Sequence, residues 1–185
     1  MPASHTVYTI SPSPDSTLAV EIKKTGLVKR KHLFVFERYS GSLNYDPDVP
    51  LASVFNLDVE ADSILCRDST QKSATGQRLT RFAREEVLHS KSHPELTIRS
   101  QRFTAKPLRG FVGEGTLCFG GIERSFKANI GFGVLKKDRL QIDADAALRL
   151  SDLGLPRPSS FLGLIQTQDE IVLHALVWGI VSVNP

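Results

Sequence analysis

Cysteine is scarce: only Cys66 and Cys118 occur, far apart and without CxxC spacing. Disulfide scaffolds and cysteine-based zinc modules need denser, patterned cysteines, so both are excluded and the two thiols read as buried. Apolar runs are short as well. No window reaches about eighteen consecutive apolar residues, which excludes a membrane-spanning helix. The opening MPASHTVYTISPSP has neither the basic start nor the apolar core of a secretory leader. The chain therefore reads as cytoplasmic.

A dominant charge is also lacking, since 23 Lys and Arg stand against 20 Asp and Glu for a net charge of +3. Residues 67–109 concentrate the positive charge, with ten Lys and Arg against four Asp and Glu. Aromatics are not interleaved with that charge and no recognition motif accompanies it, so nucleic acid is not an expected partner.

Catalytic patterns are missing too. There is no G-x-S-x-G elbow, no cysteine with a plausible histidine partner and no glycine-rich phosphate loop: Gly110, Gly113 and Gly115 fall in a strand pattern, not a strand-to-helix turn. Asp143 and Asp145 occupy the polar face of a strand and read as solvated carboxylates, not an acid/base pair. His89 and His93 have the i, i+4 spacing of zinc ligands, yet no glutamate follows His89 and Pro94 ends the helix. No catalytic residue, metal site or cofactor is assigned.

What is present is an ordinary globular composition, 41% hydrophobic and 23% charged over 185 residues, which fits one domain spanning 1–185. Its clearest signal is alternation, the mark of strands with one dry face. Phe55, Leu57, Val59 and Ala61 alternate with Asn56, Asp58, Glu60 and Asp62; Leu140, Ile142, Ala144, Ala146 and Leu148 alternate with Gln141, Asp143 and Asp145. Weaker alternation marks Leu18-Val20-Ile22, Phe34-Phe36, Leu96-Ile98, residues 111–119, 126–134 and 171–177. Turn chemistry separates these runs at Asn44-Tyr45-Asp46-Pro47, Gly120-Gly121 and Lys136-Lys137-Asp138, and short connections favour antiparallel neighbours. Residues 71–88 alone carry helical spacing, through Leu79, Phe82, Ala83 and Val87. About eight strands and one helix predict an all-β, antiparallel barrel or sandwich, with residues 151–167 as a loop over one mouth.

Several short stretches, in order, resemble the YceI-like domain family, a lipocalin-like barrel associated with polyisoprenoids. They are Tyr8-Thr9-Ile10, Ser16-Thr17-Leu18-Ala19-Val20, His32-Leu33-Phe34-Val35-Phe36, Tyr39-Ser40-Gly41-Ser42-Leu43, His93-Pro94-Glu95-Leu96-Thr97-Ile98-Arg99-Ser100, Gly115-Thr116-Leu117-Cys118-Phe119-Gly120-Gly121-Ile122-Glu123-Arg124 and Arg149-Leu150-Ser151-Asp152-Leu153-Gly154-Leu155. Asp15 stands where the family carries a histidine, and the aromatic expected near Arg99 is missing. The resemblance implies a lipocalin-like β-barrel that binds or carries an apolar amphiphile without catalysis, in isoprenoid handling or stress protection. It leaves a homodimer open.

For such a barrel the inward faces supply the lining: Val20, Ile22, Phe34 and Phe36 from the first half, then Phe55, Leu57, Val59 and Ile98, then Leu117, Phe119, Ile130, Phe132, Ile142 and Leu148. Each methylene buried there contributes about 0.8 kcal/mol, enough for tight binding without a reactive group. A solid core, and hence a ligand-free structural or protein-interaction barrel, is the alternative. Gly113, Gly115, Gly131, Gly133, Ala144 and Ala146 either leave space inside or mark barrel corners. Candidates to meet a polar head group are Lys29, Arg30, Lys31 and His32, or Arg78, Arg81 and Arg84 on the helix; a solvated basic face is the alternative for these runs.

Overall fold

A computed structural model describes residues 6–25, 31–46, 48–67, 73–107, 110–136, 138–160 and 165–182. In chain order the elements are β1 (Thr6–Ile10), β2 (Thr17–Lys24), β3 (Lys31–Phe36), β4 (Tyr39–Tyr45), β5 (Val54–Glu60), β6 (Ile64–Cys66) and the helix α1 (Ser73–Phe82). They continue with β7 (Glu95–Ala105), β8 (Phe111–Phe119), β9 (Ile122–Lys136), β10 (Arg139–Arg149), β11 (Ser159–Ser160) and β12 (Ile165–Val181). Every pairing is antiparallel, and eight strands close a barrel in the order β1-β4-β5-β7-β8-β9-β10-β12, with β12 returning to β1. The expected all-β barrel with a single helix is thus the observed fold.

Closure depends on the length of β12. One of its edges pairs along β10, while the other serves β2 with residues 167–176 and β1 with residues 179–181. The strands β2, β3 and β6 therefore branch from the barrel as a second lobe of the same sheet. Branching leaves β6 as an edge, and exposed edges invite pairing with other chains. The helix covers it: the Cys66 N–H donates to Thr80 Oγ1 at 2.9 Å and Arg84 Nε donates to the Ile64 carbonyl at 3.1 Å.

That helix starts at Ser73, residues 68–72 lying outside the described set, and it continues through Ala83–Val87 as a π-helical turn. Thr80, Ala83 and Leu88 are buried on its inner side, whereas Phe82, read from the sequence as part of the apolar stripe, is 43% exposed. Phe82 falls to one side of the face defined by Thr80 and Ala83, and the π turn that follows brings Leu88, five residues on from Ala83, back to that face. No helix among the described residues is long and apolar enough to cross a membrane.

The glycine turn joining β8 to β9 holds Gly120 at φ +56° and Gly121 at φ +79°, the paired left-handed conformation of a tight hairpin. Gly115 has a different reason. A β-carbon there would sit 2.6 Å from the Arg99 carbonyl oxygen, so β7 and β8 approach more closely than alanine allows. Gly115→Ala is expected to cost about 1–3 kcal/mol through forced separation of the strands, measurable as a lower midpoint of urea unfolding. Cys66 and Cys118 form no disulfide and are only half-buried, less enclosed than the sequence suggests.

Candidate functional site

Antiparallel register determines which side chains share a level inside the barrel, because directly paired residues point to the same face. Val59, Leu96, Phe119 and Ile122 form one level. The turn after β10 lies against it: Leu150 and Leu153 are buried, and a β-carbon on Gly154, held at φ +67°, would meet Ile122 Cδ1 at 2.5 Å. This turn opens the stretch expected to cover a mouth, of which residues 161–164 lie outside the described set.

Further along the axis the inward side chains become small. Gly113, Ala128 and Ala146 share one level, followed by Ala144 and Ala175 beside Ile130. Here the interior is not filled: an apolar slot of about 80 Å³ lies between Phe126 and Phe132 and reaches Leu18, Phe103 and Val177. Residues 126–132 of β9 cover about 20 Å of strand, or about 15 Å along the axis at the usual barrel tilt. The void is therefore long and narrow. Inward residues around it, such as Ile98, Ile130, Ala144 and Ala175, remain half-buried, whereas Leu43 and Leu140, also inward, are 0% exposed. One end is closed by rings packed on Phe132, with Tyr45 at 5.3 Å and Phe111 at 5.5 Å between centroids.

Polar groups in the wall are already engaged. Ser100 Oγ accepts the Phe55 N–H at 2.7 Å, beside the bulge that β7 makes between Ser100 and Arg102. Glu114 stands in the wall between two inward glycines, and its carboxylate lies on the outer face, paired with Lys127 at 2.9 Å and with Arg102. Those hydrogen bonds, first from Lys127 and then from Arg102, hold it below the usual carboxylate range. Among the described residues no three His, Cys, Asp or Glu side chains gather to hold a metal.

The lining expected from the sequence divides in two. Phe55, Leu57, Ile98, Ile130, Phe132 and Ile142 border the slot. Val20, Phe34, Phe36, Val59, Leu117 and Phe119 are buried in the packed core, and Ile22 and Leu148 pack against it. Ala144 and Ala146 border the open space; Gly113 and Gly115 border it too but mark close approaches, since a β-carbon on them would meet Ile130 Cδ1 at 2.4 Å and the Arg99 carbonyl oxygen at 2.6 Å, while Gly131 and Gly133 do not border it. They pair with Asp143 and Gln141, whose side chains point outward, so alternation places both glycines on the outer face. Asp145, on that same outer face, contacts the His174 ring across β10 and β12.

None of His32, Arg78 and Arg81 borders the slot. His32 is 4% exposed and follows the inward alternation of Phe34 and Phe36 on β3. Arg78 and Arg81 are exposed on the helix outside the barrel, and Lys29 and Arg30 lie outside the described residues. His93 packs its ring edge-on against Phe119 at 5.8 Å. The sequence reading did not assign Phe103, Phe126, Ala128, Leu173 and Ala175 to the site, although most lie in apolar alternation; what it lacked was the register between strands.

A family model of the YceI-like domain matches residues 8–177. The chain belongs to the YceI-like domain family. Solved structures carry the same fold: BcnA of Burkholderia cenocepacia matches with a TM-score of 0.68 at 12% identity, over 88% of this chain and 95% of that one. A polyisoprenoid binding domain from Saccharophagus degradans, implicated in plant cell wall breakdown, matches with a TM-score of 0.65 at 12% identity, over 95% and 99%. The Campylobacter jejuni YceI protein follows with a TM-score of 0.61 at 17% identity, over 81% and 85%. No curated protein sequence matches.

In this YceI-like domain the stretch 149–155 acquires a physical role. The Asp169 carboxylate accepts both the Ser151 hydroxyl at 2.7 Å and the Ser151 N–H at 2.9 Å, tying the mouth turn to β12. These two bonds, the hydroxyl first, hold Asp169 below the usual carboxylate range. A carboxyl group with a lower pKa in the folded chain stabilises the fold above its unfolded value near about 4, and that stabilisation is lost as pH falls through the folded value. Asp169→Asn is therefore expected to melt below the parent at neutral pH, with the gap closing below about pH 4, as thermal unfolding across pH will record.

Proposed function

We propose that this YceI-like barrel binds one linear apolar tail of an amphiphile, a polyisoprenoid or a related lipid, and carries it without chemical change. The observation that carries the reading is the slot itself: a narrow, hydrocarbon-lined void left among large aliphatic and aromatic side chains where Ala128, Ala144, Ala146 and Ala175 are small. At about 80 Å³ it is smaller than the roughly 300–1,000 Å³ of sites that hold compact ligands. Such a bore suits a single chain that enters as the flanking side chains turn aside. Family membership and the polyisoprenoid binding domain among the structural neighbours support the same class of ligand. Transport or protection of that lipid is the role this reading assigns.

The small bore also favours a second reading, a ligand-free barrel that works through its surface. Extraction separates the two. Protein purified without detergent is denatured in organic solvent and the extract compared by mass spectrometry with that of an identically handled unrelated protein. Near-stoichiometric isoprenoid or acyl lipid is the expected result. No enrichment, with no thermal stabilisation by added prenyl alcohols, would favour the surface role, since a ligand that binds only the native state raises its apparent stability.

A further inference from the structure

The barrel wall is not continuous. β9 pairs with β8 through residues 122–130, and β10 pairs with β12 as far as Arg149, but the β9–β10 ladder ends at Ala128 and Ala146. Beyond that level the two strands diverge, and a groove of about 360 Å³ with both charged and apolar lining residues occupies the gap. Inward residues such as Phe126 and Leu148 border it together with outward ones such as Lys127 and Arg149, as expected of an opening through the wall and not a dent in its surface. Phe126 borders both the groove and the slot, so its ring stands between them.

The rim of this split carries fixed charge. Lys127 is committed to Glu114 on the outer face, and Arg149 faces Glu170 across β10 and β12. Asp152, at the mouth turn, completes the acidic side. Arg124 differs from Lys127: it lies on the inward phase of β9 opposite Leu117, and its guanidinium donates to the neighbouring Glu123 carbonyl at 2.9 Å. Among the described residues it makes no ion pair. An arginine so placed presents paired donors beside an apolar passage, a geometry suited to a phosphate oxygen.

We propose that the split between β9 and β10 is a lateral portal gated by Phe126, and that Arg124 and Arg149 at its rim hold an anionic, phosphate-type head group while the tail lies in the slot. This rests on the carrier reading, and it moves the head-group site from the helix arginines to the barrel wall. A tail entering here passes Phe126, runs along Gly113, Ala128 and Ala146 and stops at the aromatic group around Phe132. The head group stays in water at the rim, where its charge is solvated as well as paired.

The test compares geranylgeranyl phosphate with geranylgeraniol on the parent chain, on Arg124→Glu/Arg149→Glu and on the control Arg78→Glu/Arg81→Glu. The rim variant is expected to bind the phosphate at least about tenfold more weakly and with a flatter salt dependence, with a far smaller change for the alcohol; the helix control is expected to match the parent. In stopped-flow association of the alcohol, Phe126→Ala is expected to speed entry several-fold and Phe126→Trp to slow it. Equal losses for phosphate and alcohol, no loss in the rim variant, or entry rates indifferent to residue 126 would overturn the portal while leaving the carrier intact. Failure of both lipids to bind the parent chain would overturn the carrier, and the portal with it.

Discussion

Ala144→Phe is expected to abolish lipid binding while leaving the barrel folded. Ala144 sits on β10 between Ile142 and Ala146, paired with Ile130 on one side and Ala175 on the other, at the middle of the slot. A phenyl ring there fills the void and divides what remains into two short pieces. If it displaces about four methylenes of a bound tail, the loss is about 3 kcal/mol at 0.8 kcal/mol per group, roughly two hundredfold in affinity. Overpacking a filled core usually costs about 1–3 kcal/mol, but here the ring enters existing space, so the melting temperature should hold or rise. Titration with geranylgeraniol measures the affinity. Asn129→Phe, on the outer face of β9, supplies the control that should bind as the parent does.

The second large effect separates the packed interior from the slot. Leu117 is 1% exposed and belongs to the packed core, so Leu117→Ala should cost about 2–5 kcal/mol and lower the melting temperature by roughly 5–15 °C. Leu173 already borders the void, and removing its side chain enlarges a cavity instead of creating one. Leu173→Ala should therefore melt closer to the parent and accept a bulkier tail. Equal destabilisation by the two substitutions would mean that the interior is packed alike at both places and that the slot has no physical distinction.

How much of this was legible in the sequence follows from the range of each signal. Alternation in residues 54–61 and 139–149 is local, so the strands and their inward faces could be read directly. The family resemblance then ordered them into a barrel. Register between strands is not local. Local alternation already puts Gly131 outward, between the inward Ile130 and Phe132, but that Gly113 lies beside Ala128 and Ala146 inside follows only from the pairing of the strands. The same limit hid Ala128 and Ala175, which matter only because they lie beside other small residues on neighbouring strands.

The head-group candidates failed to reach the slot for two reasons. His32 shares parity with Phe34 and Phe36, a signal that it faces inward, but the adjacent Lys31 drew it into a basic surface run. Arg78 and Arg81 follow helical spacing correctly, and only the tertiary structure shows that the helix is used to cover the edge of β6 outside the barrel. Arg124 and Arg149 each stand in a stretch that resembles the family, but nothing in the sequence marks them as neighbours. Their proximity follows from the point at which β9 and β10 part.

The central claim is that the slot holds a single apolar tail by burial, and affinity along a prenyl series tests it most directly. Geraniol, farnesol and geranylgeraniol add one isoprene unit at each step, and binding by isothermal titration should tighten at least about tenfold per step until the tail outgrows the roughly 15 Å of slot, then level off. Affinity that stays flat across the series, or is no weaker for Ala144→Phe, would contradict a tail seated in the barrel.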